Sequence, residues 1–186
     1  MIISIGGTVG SGKSTLAKQL ARKLRWPRYY MGQVFRDLAR QQGLTLRAYV
    51  KNGETNPRID RQVDEYQINL GRTQDNFIIE GRTSFFLIPQ SLKIYLFCDP
   101  DTAARRVFKD LKKNARLRNE GVLSTLADVK KDLIKRMATD RKRYRQYYQK
   151  NVFNRKHYDF TLDTSRLNRQ QVFGQVYRFY REQISE

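Results

Sequence analysis

The stretch Gly7-Thr8-Val9-Gly10-Ser11-Gly12-Lys13-Ser14 decides the fold of this 186-residue chain. It satisfies the pattern G-x-x-x-x-G-K-[ST], in which glycines let backbone N–H groups turn inward around phosphate oxygens without clashes from Cβ atoms. A short apolar strand, marked by Ile2, Ile3 and Ile5, precedes it, and apolar residues recur at helical spacing from Ser14 onward. This context favours a phosphate-binding loop, residues 7–14, over a chance glycine-rich turn.

Short apolar runs alternate with helical patterns along the rest of the chain. The runs 77–79 and 94–97 are uninterrupted, as in strands buried on both faces of a parallel sheet. We predict further strands at 29–30 and 158–162. This alternation indicates an α/β protein with the P-loop NTPase fold, a five-stranded parallel sheet covered by helices on both faces, in one domain spanning 1–186. Helices are predicted from 14 to the Trp26-Pro27 pair and at 34–43, 59–71, 102–118, 123–150 and 172–179, with a turn-rich loop at 51–58.

Composition indicates a globular intracellular protein. Hydrophobic residues make up 39% of the chain and aromatic residues 12%, which suits a packed core. The one cysteine, Cys98, cannot form an internal disulfide, and we expect a buried thiol in a reducing compartment. The chain begins without a basic segment and a long apolar run, and no run approaches the ~20 apolar residues of a membrane span. We therefore expect a cytoplasmic monomer without membrane association.

The charge is strongly positive, +19 at neutral pH, and residues 105–156 alone carry 18 basic and five acidic side chains. Such a segment attracts polyanions, either nucleotides that collect at an active site or RNA held by non-specific contacts. Tyr144, Tyr147 and Tyr148 within it suit stacking on RNA bases, or one aromatic helix face on the core. Composition leaves both alternatives open. His157 has no metal-binding partners at suitable spacing and is assigned no role.

The motif predicts how a donor nucleotide and a metal ion are bound. Lys13 can reach the β- and γ-phosphates, and the Ser14 hydroxyl can bind Mg²⁺. Glu80 directly follows the predicted strand 77–79, where a carboxylate can hold a metal-bound water; the alternative is a surface glutamate at a strand end. We therefore expect ATP and Mg²⁺ as cofactors, with Ser14 and Glu80 at the metal. The residues expected to bind the donor are Gly7, Thr8, Val9, Gly10, Ser11, Gly12, Lys13, Ser14 and Thr15.

A phosphate-binding loop is shared by ATPases, GTPases and kinases. The sequence lacks the Asn-Lys-x-Asp signature with which GTPases recognise their base, and it is short for an ATPase with a sensor domain. Kinases that phosphorylate hydroxyl groups position a carboxylate as base, whereas a phosphate acceptor is already an anion and needs cations to hold two repelling groups together. A single histidine and abundant arginine favour a small-molecule kinase with a phosphate acceptor.

In the order and spacing of its segments, the chain resembles the cytidylate kinases, especially their archaeal-type branch, within the nucleoside monophosphate kinases. The resemblance covers almost the whole chain. It implies phosphoryl transfer from ATP to CMP or dCMP in pyrimidine nucleotide metabolism, with an acceptor-binding subdomain at 31–72 and a short lid at about 109–123. The matching segments are 5–15, Gly32-Gln33-Val34-Phe35-Arg36, Ile59-Asp60-Arg61-Gln62-Val63-Asp64, Glu80-Gly81-Arg82, Arg105-Arg106, 136–144 and 159–165.

The resemblance also implies roles for single residues. In the family, the arginine of the G-x-x-[FY]-R segment binds the acceptor phosphate, which here is Arg36. The arginine after the Glu-Gly pair contacts the acceptor, which suggests Arg82 beside Gly81. Either Arg105 or Arg106 corresponds to the lid arginine that bridges the donor phosphates. Thr164 lies in the segment that resembles the loop beside the donor adenine.

A further family arrangement, R-x-x-x-D-x-x-R, matches Arg136, Asp140 and Arg143. Spacings of four and three place these residues on one helical face, so that they can converge on one ligand. Asp60 and Asp64 share a face of another predicted helix and are candidates for acceptor recognition. The plain alternative for any of these residues, on so basic a chain, is a solvated face or a surface ion pair.

Two positions depart from the family pattern. Met31 stands where a small polar residue, often serine, is usual, and Thr83 stands where bacterial members carry an aspartate that helps to recognise cytosine. Both changes concern the base and not the phosphate chemistry. Another nucleotide kinase, of adenylate type, therefore stays open, as does an RNA- or ribosome-associated protein that uses the loop as a nucleotide switch.

Overall fold

A computed structural model describes residues 1–53, 56, 58–118 and 125–184, with the backbone alone for 113–118. The strands are β1 (Ile2–Gly7), β2 (Arg28–Tyr30), β3 (Phe77–Glu80), β4 (Leu92–Phe97) and β5 (Phe160–Asp163). They form one parallel sheet in the order β2-β3-β1-β4-β5, which confirms the predicted sheet. The helices are α1 (Lys13–Leu24), α2 (Met31–Gln41), α3 (Leu46–Asn52), α4 (Arg58–Thr73), α5 (Ser84–Leu87), α6 (Pro100–Arg118), α7 (Leu126–Tyr148) and α8 (Arg169–Ile184), with a 3₁₀ turn at Arg155–His157.

The core lies on both faces of the sheet because the central strands are apolar throughout. Ile3 and Ile5 of β1 pack against the apolar faces of α1 and α8. Phe77 and Ile79 of β3 face the other way and pack against α2 and α4. Successive strand residues point to opposite faces, so an uninterrupted apolar run produces two cores from one sheet.

The sheet topology places the functional groups along one edge. β1 lies between β3 and β4. The strand that follows β1 in the chain, β2, lies on the β3 side of the sheet, and the strand that follows β3, β4, lies on the other side of β1. In such open sheets a crevice forms outside the carboxyl ends of the strands, at the point where the strand order reverses. The phosphate-binding loop follows β1, Glu80 ends β3, and Thr164 follows β5 at this same edge.

Two short helices were not predicted from the sequence. α3 begins at Thr45, whose hydroxyl accepts a hydrogen bond from the backbone N–H of Ala48 (3.2 Å), and it ends inside the predicted loop 51–58. α5 spans only four residues after β3. Neither is long enough for an apolar period to repeat, so pattern analysis could not detect them. Residues 54, 55 and 57 of the predicted loop lie outside the described residues.

The two basic helices are close to their predicted bounds. The hydroxyl of Thr125 and the carboxylate of Asp128 form a capping box that starts α7, and Gln149 ends it with a left-handed φ of 55°. Of the predicted lid, 109–118 continue α6, and 119–123, with Gly121, lie outside the described residues. The predicted acceptor subdomain, 31–72, folds as α2, α3 and nearly all of α4.

Other sequence predictions concern single features. Cys98 is a buried free thiol, as expected, and burial raises its pKa. Within the ranges that the structure covers, no helix is both long and apolar enough to cross a membrane.

Candidate active site

The loop between β1 and α1 has the geometry of an anion cradle. Gly7, Gly10 and Gly12 have φ angles of 134°, 78° and 93°, in the region that favours glycine. A Cβ on Gly7 would lie 1.9 Å from the carbonyl oxygen of Leu96, and one on Gly10 would lie 2.8 Å from the Cα of Ala103. The loop is therefore packed against β4 and α6 and can turn its N–H groups inward only with glycine at these positions.

Lys13 lies across its own loop. Its ammonium donates to the carbonyl oxygens of Gly7 (3.0 Å) and Thr8 (2.5 Å). Burial lowers the pKa of Lys13 to about 7; the charge of Arg82 lowers it further, and Glu80 opposes the shift. Burial removes water that would stabilise the charged ammonium. Phosphate oxygens nearby would stabilise that charge instead.

Ser14 and Glu80 form an oxygen-rich site next to Lys13. The Ser14 hydroxyl donates to Glu80 Oε2 (2.6 Å), and Arg28 at the start of β2 forms an ion pair with Oε1. Glu80 is 1% exposed, so it is not the surface residue of the alternative interpretation. A hydroxyl and a carboxylate are hard oxygen ligands that fit Mg²⁺, which is usually held by one or two protein groups together with substrate phosphates.

Sequence reasoning did not find Arg28. Its signal would have been a charged residue at the start of a strand that neighbours β3, but strand order is not visible in the sequence. Among the described residues, no three His, Cys, Asp or Glu side chains gather as a separate metal site.

The structure distinguishes between the two candidate lid arginines. The guanidinium of Arg106 donates to the hydroxyl (3.1 Å) and carbonyl (2.7 Å) oxygens of Thr164, and lies 3.4 Å from the carbonyl oxygen of Gly10. Arg105 is exposed and donates to the hydroxyl of Thr102 (2.9 Å). Arg106 and Thr164 therefore meet at the phosphate-binding loop, and Arg105 points away from it.

Most of these groups line a cleft of about 1240 Å³. Its volume exceeds the ~300–1,000 Å³ of a typical pocket for one small molecule, so it has room for a donor and an acceptor. Gly7, Thr8, Asp60, Asp64 and Arg105 do not line it. The predicted site residues that do are Val9, Gly10, Ser11, Gly12, Lys13, Ser14, Thr15, Arg36, Glu80, Gly81, Arg82, Arg106, Arg136, Asp140, Arg143 and Thr164.

Arg36 also lines the cleft, where it is held in place. One guanidinium nitrogen donates to the hydroxyl of Tyr30 (2.9 Å) and to the carbonyl oxygen of Gly32 (2.7 Å). The guanidinium also lies over the Tyr30 ring, 5.4 Å from its centroid, and Arg28 lies over the same ring at 5.1 Å. Arg36 is 5% exposed, which excludes a solvated surface role.

Two arginines and two aspartates form a charge network in which all members but Arg82 are buried. Arg82 pairs with Asp140 (2.8 Å), and Arg143 lies 3.4 Å from Asp60 and 3.5 Å from Asp140. One nitrogen of Arg82, Nη1, is buried without a hydrogen-bond partner. Burial by itself would lower the pKa of Arg143, but Tyr144, Asp140 and Asp60 raise it overall, so the guanidinium stays charged. Arg82 thus combines an unpartnered guanidinium nitrogen with a place in the cleft lining.

Asp64 belongs to a neighbouring polar cluster. Its Oδ1 accepts from the Thr83 hydroxyl (3.1 Å) and the Gln67 amide (3.4 Å), and its Oδ2 accepts from the Tyr148 hydroxyl. Burial raises the pKa of Asp64 to about 6, although the bond from Tyr148 opposes this. Sequence reasoning missed Gln67 and Tyr148. Gln67 lies seven positions after Asp60 and three after Asp64, on the same helical face, which is a signal that the sequence could have provided.

The tyrosines of α7 pack inward. Tyr144 is 3% exposed and belongs to an aromatic cluster with Tyr95 and Tyr158, so stacking of Tyr144 on RNA is excluded and the core alternative is confirmed. The Tyr147 hydroxyl donates to the carbonyl oxygen of Gly53 (2.9 Å). His157 stacks on Phe85, with ring centroids 5.4 Å apart.

Comparison with known proteins gives consistent results. A protein-family model described as an AAA domain matches residues 3–126. The cytidylate kinase of Methanosphaera stadtmanae is 32% identical over 168 residues, 90% of this chain and 91% of that protein. The cytidylate kinases of Pyrococcus furiosus and Archaeoglobus fulgidus are also 32% identical, over 95% and 88% of this chain and 86% of each relative.

Solved structures agree with the fold. An uncharacterized protein from Eubacterium ventriosum superposes with a TM-score of 0.68 at 16% identity, over 96% of this chain and 97% of that one. Shikimate kinase from Bacteroides thetaiotaomicron gives 0.63 at 13% identity, over 97% and 98%. At such identities the likeness shows the architecture alone.

Proposed function

We propose that this chain, which belongs to the cytidylate kinase family and is a nucleoside monophosphate kinase, transfers the γ-phosphoryl group of ATP to the phosphate of CMP or dCMP. The observation that carries this proposal is a single cleft lined both by the phosphate-binding loop with Lys13 and by Arg36 and Arg82. Two anionic ligands bound in one cleft repel each other, and the cations that line this cleft offset the repulsion.

In the proposed reaction, an oxygen of the acceptor phosphate attacks the γ-phosphorus of ATP. The bond from the γ-phosphorus to the β,γ-bridging oxygen breaks, so that ADP leaves with that oxygen. Arg36 and Arg82 hold the acceptor phosphate, and Lys13 and Arg106 neutralise charge on the donor. Arg136 and Arg143, with Asp140, orient the acceptor. No general base is needed, because the attacking oxygen is already an anion.

We assign Mg²⁺ binding to Ser14 and Glu80, where the ion would neutralise charge on the β- and γ-phosphates. We also propose that the acceptor subdomain, 31–72, and a lid at about 109–123 close over the ligands, which keeps water from the γ-phosphate. We further propose that the protein acts as a monomer. The buried reduced thiol of Cys98 supports a cytoplasmic setting.

The test is a coupled assay of ADP formation with ATP and CMP, dCMP, UMP or AMP in parallel. We expect the highest kcat/KM with CMP or dCMP. The Lys13→Ala variant should transfer no phosphoryl group, while its free energy of unfolding, measured without ATP, should be unchanged. A higher kcat/KM with AMP would replace the cytidylate assignment with an adenylate-type one. A protein that binds ATP but phosphorylates none of the four would refute the proposal.

A second candidate, contact with RNA, has one supporting observation. Lys131, Lys135, Lys142 and Arg145 recur on one face of α7 at spacings of four, seven and three, and all are exposed. Changing these four residues to Gln should lower the slope of log affinity for single-stranded RNA against log salt by up to about 3. An unchanged slope would remove the RNA alternative, and kinase activity should be the same in both proteins.

A further inference from the structure

One polar cluster in the cleft has no part in phosphoryl transfer as described above. Gln67 of α4 and Thr83 after β3 line the cleft, and both are buried. Behind them lie Asp64, Ser84 and Tyr148, which do not line it. These five side chains hydrogen-bond one another, so the two groups that face the cleft have fixed directions.

The direction of each bond follows from the charge of Asp64. An ionised carboxylate only accepts, and it accepts here from the hydroxyls of Thr83 and Tyr148 and from the amide of Gln67. The single O–H proton of Thr83 is therefore committed to Asp64. Thr83 Oγ1 also accepts from the Gln67 amide nitrogen (2.9 Å), which uses one of its two lone pairs.

The Gln67 amide is committed in the same way. Its nitrogen donates to Thr83 and to Asp64, and its oxygen accepts from the Ser84 hydroxyl (2.6 Å). What remains for a ligand is one lone pair on Thr83 Oγ1 and one on Gln67 Oε1. Both are acceptors, and both N–H groups and the O–H group of the pair are already used.

We propose that Asp64 makes the cleft surface of Thr83 and Gln67 a pure hydrogen-bond acceptor, which selects acceptor nucleotides whose base carries an exocyclic amino group and rejects their oxo counterparts. This inference rests on the proposed function, since it assumes that a nucleoside monophosphate binds in the cleft. It assigns to Asp64 a positioning role, exerted through Thr83 and Gln67.

The chemistry of the bases follows directly. Cytosine and adenine present an amino group with two N–H donors, which match the two spare lone pairs. Uracil and hypoxanthine present a carbonyl oxygen at the same place, and an acceptor facing acceptors leaves buried oxygens unpaired. Thr83 cannot turn its proton toward a uracil oxygen without withdrawing a hydrogen bond from the buried carboxylate of Asp64.

The experiment measures kcat/KM for two matched pairs, CMP with UMP and AMP with IMP, at about pH 8. Each pair differs only in the exchange of an amino group for an oxo group. We expect the intact protein to favour the amino member by at least about 100-fold, because a site built to bind a donor rejects an analogue without it strongly. Comparison of kcat/KM for CMP with that for AMP shows whether the site prefers the amino group of cytosine or that of adenine.

Asp64→Asn is the decisive variant. An asparagine at this position can donate to Thr83 Oγ1, which frees the Thr83 proton to face the cleft and bind an oxo group. We expect the amino-to-oxo ratio to fall at least tenfold, chiefly through better use of the oxo nucleotide. The matched control is Glu65→Gln, the same chemical change at the adjacent exposed position of α4, which should leave the ratio unchanged.

Thr83→Val keeps the inference testable if Asp64→Asn does not fold. Valine removes the lone pair at nearly constant volume, so CMP use should fall at least tenfold and UMP use should change less. A ratio near one in the intact protein, or a ratio unchanged by Asp64→Asn or Thr83→Val, would overturn the inference while leaving the kinase assignment intact. A protein that phosphorylates none of the four nucleotides would overturn both.

Discussion

At the scale of single residues, Arg36, the proposed acceptor-phosphate residue, has a guanidinium fixed by its neighbours. The hydroxyl of Tyr30 and the carbonyl oxygen of Gly32 fix its guanidinium, and the Tyr30 ring lies under it. An exposed arginine loses much rotamer freedom when it binds a phosphate, but a guanidinium that is already fixed loses little. If Arg36 binds the acceptor phosphate as proposed, these contacts should favour affinity for the acceptor.

We predict that Arg36→Ala damages use of the acceptor and spares donor binding. Loss of a charged, bidentate phosphate contact should cost roughly 2–4 kcal/mol, which is about 30- to 1000-fold in kcat/KM for CMP. ATP affinity, measured by calorimetry, should change less than about threefold. Arg36→Lys should rescue activity only in part, because an ammonium keeps the charge and loses the planar fork.

The matched control for this prediction is Arg105→Ala. Arg105 is exposed, donates only within its own helix to Thr102, and lies outside the cleft lining. Its truncation should leave kcat/KM for CMP within about twofold, as expected for a surface side chain. Equal effects of the Arg36 and Arg105 truncations would contradict the acceptor-site assignment.

At the scale of elements, the first residue of β2 and the last residue of β3 meet α1 at the proposed metal site. Glu80 at the end of β3 accepts from Ser14 of α1 and pairs with Arg28 of β2. Both carboxylate oxygens are thus engaged before any metal binds. Mg²⁺ would have to replace the Ser14 bond and share the carboxylate with Arg28, so Glu80 should determine the concentration at which Mg²⁺ takes effect.

Glu80→Gln should shift the Mg²⁺ dependence more than it changes CMP binding. The substitution removes one negative charge and keeps the side-chain volume. The Mg²⁺ concentration that half-saturates ATP binding, measured by calorimetry without acceptor, should rise at least fivefold, as expected when a carboxylate no longer supports the ion. Glu65→Gln on α4 is the exposed control. An unmoved Mg²⁺ titration with a normal control would show that Glu80 only stabilises the strand end.

Alanine substitutions at two glycines, one in the phosphate-binding loop and one in α8, should have opposite effects on stability. Gly10 has a φ of 78° and no space for a Cβ beside Ala103, whereas Gly174 lies inside α8 with nothing within 4 Å of an added Cβ. We predict that Gly10→Ala lowers the free energy of unfolding by about 1–2 kcal/mol and weakens ATP binding. Gly174→Ala should raise the free energy of unfolding by about 0.5–1 kcal/mol.

Urea unfolding of both variants, together with ATP calorimetry, checks this pair. Weakened ATP binding by Gly174→Ala, or tolerance of Gly10→Ala in both measurements, would contradict the argument that the loop needs glycine for its shape.

The elements also show what the sequence predicts and what it does not. β1, the phosphate-binding loop and α1 were predictable, because a motif and two apolar periods occur within one short stretch. α3 and α5 were not, since they are too short to show a period. Likewise, either Arg105 or Arg106 could have been the loop contact, because adjacent positions differ only in the direction each takes from the helix.

At the scale of the whole molecule, the site depends on contacts between distant parts of the chain. Tyr148 donates to Asp64, 84 positions earlier, and Arg28 pairs with Glu80, 52 positions later. Such pairs leave no local pattern, so a sequence can nominate Asp64 by helical spacing but cannot reveal that a tyrosine fixes it. The phosphate-binding loop was therefore largely predictable, and the cluster of Asp64, Gln67, Thr83 and Tyr148 was not.

The buried carboxylate of Asp64 is unfavourable for stability, and this gives a prediction for the whole molecule. Burial raises its pKa to about 6 from an ordinary value of 3.8; the Tyr148 and Thr83 bonds and Arg143 lower it, and the nearby Asp60 raises it. Between these values the folded chain holds a proton that the unfolded chain has released. The free energy of unfolding therefore falls as pH rises through this window, by about 3 kcal/mol in total.

Asp64→Asn removes this titration and should stabilise the protein at neutral pH. We expect the variant to match the wild type near pH 4, where both side chains are neutral, and to exceed it by about 1–3 kcal/mol near pH 7.5. Urea unfolding followed by the fluorescence of Trp26, the one tryptophan, measures both proteins at each pH. A variant that is no more stable than the wild type at pH 7.5 would contradict the unfavourable burial of this charge. A stabilised variant that has lost its amino-to-oxo preference would mean that the charge is kept for recognition, at a cost in stability.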